Sequence, residues 1–185
     1  MKLKVLGIDS PHGTETHNCP GYLITEGNTK ILLDSGSGTH KLLSFPSDLE
    51  NLSVIISHLH RDHYNDIYNI QYSSFVYHNQ KRIEYPIEIY LPATPKNIYE
   101  DIINEKNSFA NYHNINKETT LKIGDIDISF CPTDHPVETY AIKLSSGGKT
   151  IVYTADTSFS AKDRLVEFAK NSDLLISESS LLTSY

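Results

Sequence analysis

The chain has 185 residues, enough for one domain with a hydrophobic core. Its 38% hydrophobic and 21% charged residues are typical of a globular protein, and its formal net charge is −7. It shows neither a basic stripe of the kind that binds nucleic acid nor an apolar run as long as a membrane span or signal-peptide core. Two cysteines are too few for a disulfide scaffold. We therefore expect a cytoplasmic protein that does not bind membranes.

The first half of the chain predicts strands joined by short turns, with helices between some of them. Strands are predicted at 2–8, 22–25, 29–34, 52–57 and 87–91, and helices at 39–44, 65–80 and 95–109. Glu26-Gly27-Asn28 is a turn signal between two of these strands. The last of these helices has Thr94 as its expected N-cap and Pro95 at its first position.

The second half of the chain predicts mostly hairpins. Strands are predicted at 120–123, 126–131, 139–144, 150–154 and 174–176, with one helix at 161–170. This order favours two packed sheets with helices outside them, rather than a doubly wound parallel sheet. We find no linker or repeat and expect a single domain over residues 1–185.

The stretch Ser57–His63, SHLHRDH, holds three histidines and an aspartate directly after a buried strand. His58, His60 and Asp62 are two residues apart, a spacing that places side chains on one face of an extended segment but spreads them around a helix. We therefore predict an extended strand end whose side chains converge on a metal. His63 follows Asp62 immediately, so it points elsewhere and can serve a second metal.

A metal site needs further ligands from distant parts of the chain, and two residues are candidates. His135 and Asp156 each lie just after a predicted strand, where chain ends gather at the rim of a sheet. Taken alone, His135 would be a surface or packing residue, and Asp156 a turn or helix-capping residue. The cluster at 58–63 makes both of them candidate ligands.

With these motifs, the chain resembles the metallo-β-lactamase superfamily over nearly all of its length. His58-Leu-His-Arg-Asp-His63 matches the motif H-x-H-x-D-H, and Leu32-Leu33-Asp34-Ser35-Gly36 matches the earlier aspartate and glycine turn. His135 and Asp156 match the third-motif histidine and the bridging aspartate. The resemblance implies an α+β fold, a four-layer αβ/βα sandwich of two mixed sheets flanked by helices.

The resemblance also implies a centre of two divalent metal ions that share a bridging hydroxide, the nucleophile of a metal-dependent hydrolase. Zinc is expected, and manganese or iron fits the same donor atoms. The implied ligands are His58, His60 and His135 for one metal, Asp62 and His63 for the other, and Asp156 between them. Asp62 also has an implied catalytic role in orienting the attacking water, and Asp34 is expected behind the ligands, orienting them.

Within the superfamily the chain is similar to the ribonuclease Z-like branch, in Met1–Gly7 and in Leu174-Leu-Ile-Ser-Glu-Ser. That branch has a late His-Glu pair on which proton donation depends. Glu178 matches the glutamate and is a candidate catalytic residue, but Ser177 stands at the histidine. A solvated turn carboxylate is the alternative role for Glu178.

Two departures argue against tRNA as a substrate. The loop at 11–18 carries Glu15 where the ribonuclease Z-like enzymes have basic residues. The segment between His135 and Asp156 holds only a hairpin, so the tRNA-gripping arm of many of those enzymes is absent.

A third departure is that no histidine follows His135, whereas the family's seventh ligand is a histidine beyond the last strand. We therefore expect a form that is incomplete at its C-terminus and lacks a final helix, strand and histidine.

The function that this resemblance implies is a phosphodiesterase acting on small anionic or nucleotide-derived substrates. One alternative is a thioester or lactone hydrolase similar to glyoxalase II. Another is a metal-binding domain without turnover, if the missing ligand abolishes catalysis. The sequence also leaves a homodimer open.

Overall fold

The computed structural model describes residues 1–179, which form two mixed β-sheets with helices on their outer faces. The first sheet contains β1 (Lys2–Gly7), β2 (Gly21–Glu26), β3 (Thr29–Leu33), β4 (Leu52–Ile55), β5 (Ile87–Leu91) and β6 (Ala110–Asn114). The second contains β7 (Thr120–Ile123), β8 (Ile126–Pro132), β9 (Tyr140–Ser146), β10 (Lys149–Tyr153) and β11 (Leu174–Ile176). The α-helices are α1 (Arg61–Tyr64), α2 (Ile67–Asn79), α3 (Lys96–Ile103) and α4 (Lys162–Ala169).

Strand order follows the connections between strands. The first sheet runs β1-β2-β3-β4-β5-β6, antiparallel up to β3 and parallel from β3 to β6. The change in direction falls where the longer connections begin, since parallel neighbours need a crossover and a two-residue turn cannot supply one. The second sheet runs β11-β10-β9-β8-β7 and is antiparallel except for the β10–β11 pair. β1 is an edge strand of the first sheet, and β11 is an edge strand of the second.

The alternation of side chains along the strands produces the layers. Ile31 and Leu33 of β3 pack between the two sheets, whereas Leu32 between them packs toward the helices of the first sheet. On the other side of the molecule, Leu165 of α4 packs with Ala141 of β9. The molecule is therefore the expected four-layer sandwich, with helices outside two mixed sheets.

Several predicted elements differ from the structure. The helix predicted at 95–109 is α3, which ends at Ile103, and the strand β6 that follows it was missed. The sequence of β6, ANYHN, lacks an apolar alternation, because it is an edge strand that is largely exposed. The helix predicted at 39–44 is a single 3-10 turn, His40–Leu42. The prediction of a buried last strand was wrong, because Leu174 and Leu175 of β11 are 40% and 49% exposed.

The histidine-rich segment also differs from the prediction of one extended strand end. β4 ends at Ile55, the chain bends at Ser57, and His60, with an extended backbone, directly precedes the short helix α1. Asp62 and His63 therefore lie on the first turn of a helix. The convergence of these side chains depends on this bend and not on a shared strand face.

Other expectations concern the cysteines and membrane spans. Cys19 and Cys131 are free, buried thiols, as expected. No helix within residues 1–179 combines the length and the apolar character needed to cross a membrane.

The glycine turn after β3 allows a prediction about stability. A Cβ at Gly36 would lie against the carbonyl oxygen of Asp62 and 2.6 Å from the Cβ of Cys19. Because neither neighbour is a flexible side-chain end, Gly36→Ala should lower the free energy of unfolding by at least about 2 kcal/mol in urea denaturation. Gly27→Ala is the control: its Cβ would meet nothing within 4 Å, and only its positive φ of 56° opposes the change, at about 1 kcal/mol. Equal losses in the two variants would contradict the close contact at Gly36.

Candidate metal centre

Four candidate ligands from three parts of the chain meet at one point. His58 and His60 follow β4, His135 follows β8 and Asp156 follows β10. Each offers one ligand atom, and these four atoms lie within 4.8 Å of one another. His60 and His135 are 75 residues apart in sequence, yet His60 Nδ1 and His135 Nε2 are separated by 2.9 Å. The packing of the two sheets therefore assembles the cluster.

Asp156 connects this cluster to His63. One oxygen of its carboxylate, Oδ2, lies 3.8 Å from Nε2 of His58 and from Nε2 of His135. The other oxygen, Oδ1, lies 3.3 Å from Nε2 of His63, which is also 3.4 Å from Oδ2 of Asp62. The two carboxylate oxygens thus face two different sets of donors, the arrangement needed for a carboxylate that bridges two cations.

The donor atoms fit divalent metal ions. Two ligands that are each ~2.0–2.1 Å from a tetrahedral zinc ion lie about 3.3 Å apart, close to the separations found around His63. Nε2 of His58 and Nε2 of His63 are buried without a hydrogen-bond partner. A buried polar atom without a partner is costly, and a cation at these positions would satisfy both.

A buried carboxylate fixes how these two imidazoles are oriented. Asp34 is fully buried and accepts from the Nδ1–H of His63 at 2.7 Å. It also accepts from the backbone N–H and from the hydroxyl of Ser57, at 2.7 and 2.8 Å. Because the single hydroxyl proton of Ser57 goes to Asp34, its oxygen must accept from Nδ1–H of His58, 3.0 Å away. Both imidazoles therefore direct Nε2 toward the site.

The surroundings shift the pKa values of these imidazoles in opposite directions. Burial lowers the pKa of His58 far below its ordinary value, and the neighbouring histidines lower it further, so His58 is neutral. Burial also opposes the charged form of His63, but the carboxylates of Asp34, Asp156 and Asp62 outweigh it and raise the pKa. Since a ligand imidazole must be neutral, a cation that binds His63 exchanges with a proton.

Asp62 is held from the N-terminal loop. The hydroxyl of Ser10 donates to Oδ2 of Asp62 at 2.8 Å, and Nε2 of His63 lies near the same oxygen. Burial opposes the ionised form of Asp62, but these contacts outweigh it and lower the pKa. The carboxylate is therefore ionised and has a fixed orientation.

Glu178 lies beside the bridging aspartate. Its Oε2 accepts from the backbone N–H of Thr157 at 2.6 Å, and its own N–H bonds to the hydroxyl of Thr154. Burial raises the pKa of Glu178, the Thr157 contact opposes this, and the charge of Asp156 adds to it. Glu178 is thus partly buried in the site rather than a freely solvated turn carboxylate.

A cleft of about 750 Å³ opens from this centre. His63, Asp156 and Glu178 are among the residues that line it, and the edge strands β1 and β11 contribute to its walls. The walls include the aliphatic side chains of Leu3, Val5, Ile8, Leu174, Leu175 and Ile176. The loop after β1 contributes Ser10 and His12, whereas His17 from the same loop is exposed beside Asp9.

The structure thus brings together every residue that the sequence predicts for the site. His58, His60, His135 and Asp156 form one group, Asp62 and His63 lie next to it, and Glu178 borders the same cleft. Sequence reasoning missed three hydroxyl groups behind these residues: Ser10, Ser57 and Tyr153. Their one signal in the sequence is position, since Ser57 precedes His58 and Tyr153 lies three residues before Asp156.

Comparison with known proteins identifies a family and several relatives of this chain. The family model described as anti-Pycsar protein Apyc1 matches residues 1–184. The probable metallo-hydrolase YhfI of Bacillus subtilis is 30% identical over 179 residues, which are 96% of this chain and 72% of YhfI. Ribonuclease BN of Cronobacter sakazakii is 27% identical over 160 residues, 80% of this chain and 51% of that protein. The chain thus spans only about half the length of that ribonuclease.

Solved structures share the fold. The crystal structure of the metallo-β-lactamase fold protein YhfI from Bacillus subtilis has a TM-score of 0.90 and 30% identity, covering 99% of this chain and 73% of that one. Human tRNase Z, short form, has a TM-score of 0.73 at 17% identity, covering 98% of this chain and 78% of that one, and shows the fold alone. The chain therefore has the metallo-β-lactamase fold, as its motifs indicate, and it belongs to the family described as anti-Pycsar protein Apyc1.

Proposed function

We propose that this protein is a metal-dependent phosphodiesterase that acts on small anionic or nucleotide-derived substrates. The observation that carries the proposal is the meeting of imidazole nitrogens and carboxylate oxygens beside a cleft that His63 and Asp156 line. Hydrolases commonly use such a donor set to hold the cations that activate water. The relatives named as a metallo-hydrolase and as ribonucleases support the same class of reaction.

Two divalent cations, zinc in the first instance and manganese or iron as alternatives, would occupy the centre. The first would be held by His58, His60 and His135, the second by Asp62 and His63, and Asp156 would contact both. When bound, such ions lower the pKa of water toward neutrality and polarise a phosphoryl oxygen.

Charge and the shape of the cleft favour a small phosphodiester. Two dications carry four positive charges against three negative charges from Asp34, Asp62 and Asp156, so the loaded centre attracts an anion. The described residues that line the cleft include no lysine or arginine, and six of them are Leu, Ile or Val. A polyanion such as tRNA would require basic residues along its backbone, whereas a substrate with one phosphate does not.

The chain's own residues assist the reaction on both sides of the phosphorus. Asp62 is ionised and held by Ser10, so it orients the attacking water by accepting its hydrogen bond rather than acting as a strong base. Glu178 borders the cleft and is the candidate proton donor to the departing oxygen, and burial raises its pKa.

Two other functions fit the same donor atoms. Thioesters and lactones also react with activated water, and the aliphatic walls suit an acyl chain. A metal-binding domain without turnover is the third candidate, should one of the cations be held by too few ligands.

Replacing ligands should separate these candidates. In the zinc-loaded protein, His135→Ala and Asp156→Asn should each lower kcat/KM for bis-p-nitrophenyl phosphate by more than ~100-fold, since groups behind the ligands alone contribute about 10–100-fold. His113→Ala is the matched control, because this histidine is exposed on the edge strand β6, where it pairs with Glu88 of β5. The same assays with a thioester and a lactone test the alternatives.

Different results would reject the proposal in different ways. Inert phosphodiesters with rapid thioester or lactone turnover would replace the phosphodiesterase with an acyl hydrolase. Zinc uptake without turnover of any of the three substrate classes would leave only the metal-binding domain.

Glu178 provides a test based on the leaving group. Glu178→Gln should lower kcat by about 10²–10⁴-fold for a dinucleoside monophosphate, whose alkoxide needs a proton. It should have much less effect on bis-p-nitrophenyl phosphate, because nitrophenolate leaves unprotonated. The raised pKa of Glu178 keeps its acid form to a higher pH than an ordinary glutamate, and the donor is lost as pH rises through that pKa. The fall of kcat with rising pH on the dinucleoside monophosphate should therefore disappear in Glu178→Gln and remain in the exposed control Glu118→Gln. Equal losses on both substrates would contradict a proton-donor role.

A further inference from the structure

Tyr153 is a buried tyrosine at the end of β10, and its hydroxyl lies 3.5 Å from Nδ1 of His63. Its side chain is 4% exposed, and its hydroxyl donates to Oδ2 of Asp34 at 2.7 Å. Its ring packs against that of Tyr22, with the centroids 5.1 Å apart. Because this hydroxyl is buried and its proton is used, Tyr153 does not serve the substrate directly.

The hydroxyl completes the bonding of a buried charge. Asp34 also accepts from the backbone and side chain of Ser57 and from His63, so that four donors address its two oxygens. Three of these donors address Oδ2, and the backbone N–H of Ser57 addresses Oδ1. Without the tyrosine hydroxyl, Oδ2 would be left with only the donors from Ser57 and His63.

Tyr153 differs from the other donors in its origin. Ser57 and His63 follow β4 of the first sheet, whereas Tyr153 belongs to the second. Among the described residues, it is the donor to Asp34 that the second sheet supplies. Three residues later the same chain segment delivers Asp156, whose Oδ1 lies 3.3 Å from Nε2 of His63. The Tyr153–Asp34 bond therefore spans the two sheets just beside the point where His63 and Asp156 must meet.

We propose that Tyr153 is a positioning residue that, through Asp34, sets the separation of His63 and Asp156 for metal binding. The inference rests on the proposed metal centre. It assigns to the hydroxyl a task that ring packing cannot perform: it aligns Asp34, which in turn holds Nδ1 of His63. Without the hydroxyl, His63 and Asp156 should be held less firmly relative to each other, while the ring of residue 153 still packs in the core.

The test is the affinity of the full chain for Zn²⁺ alone, measured by competition with a chromogenic chelator. Tyr153→Phe should weaken zinc binding by about 10–100-fold, the usual effect of losing a group behind a metal ligand. Tyr140→Phe is the matched control, because Tyr140 is also a buried tyrosine of the second sheet and its hydroxyl donates to Glu138 at 2.6 Å. Its zinc affinity should stay within about threefold of that of the unaltered protein.

Two further measurements separate positioning from general stability. Urea midpoints of the zinc-free proteins report what each lost hydroxyl contributes to folding. If both variants lost zinc affinity in proportion to their midpoints, the role would be merely structural and the inference overturned. In a double-mutant cycle with Asp34→Asn, the losses should not add, since Tyr153 acts through Asp34. Additive losses would overturn that route.

The metal centre and the role of Tyr153 can fail separately. If the unaltered protein binds one or two zinc ions and Tyr153→Phe binds them with the same affinity, the inference is overturned and the centre stands. No zinc binding by the unaltered protein would overturn the centre itself, and the inference with it.

Discussion

The structure depends on one buried charge, the carboxylate of Asp34. An ionised carboxylate with no exposed surface is very unfavourable unless donors occupy its acceptor positions. Here the donors come from the end of β4, from α1 and from β10, so satisfying the charge requires the two sheets and the histidine segment to be in place together. The donors that compensate for the burial of Asp34 therefore also fix the orientation of His58 and His63.

This arrangement explains why the site can use ligands from distant parts of the chain. Ser57 and Asp34 orient His58 and His63, whereas His135 and Asp156 follow strands of the second sheet. Their positions therefore also depend on the packing of Ile31 and Leu33 against the second sheet. The apolar layer between the sheets is therefore as much a part of the centre as the ligands are.

Much of this could be predicted from the sequence. The turn signal at Glu26-Gly27-Asn28 and the apolar centre of β4 indicated the strands, and the stretch 57–63 indicated a metal site, because no packing role explains so many adjacent imidazoles. The helical turn that carries Asp62 was not predictable from spacing, since spacing does not show that the chain turns into α1 directly after His60. Nor was the role of Ser57 or Tyr153, because a hydroxyl residue in a strand shows no sign of the charge that it will meet across a sheet interface. The edge strand β6 lacks the apolar pattern from which strands are recognised.

The backbone at two points of the centre has a consequence for how the site comes into being. Asp34 and Ala155 both have left-handed conformations, with φ of 56° and 53°, each costing a side-chain-bearing residue roughly 1–2 kcal/mol. Neither conformation is favoured in an isolated segment, so each persists only where the surrounding contacts enforce it. A chain in which the sheets have not yet docked would therefore hold these imidazoles and carboxylates out of register. Capture of a cation by this protein would then report that the whole sandwich has closed, and not merely that the histidine-rich segment has been synthesised.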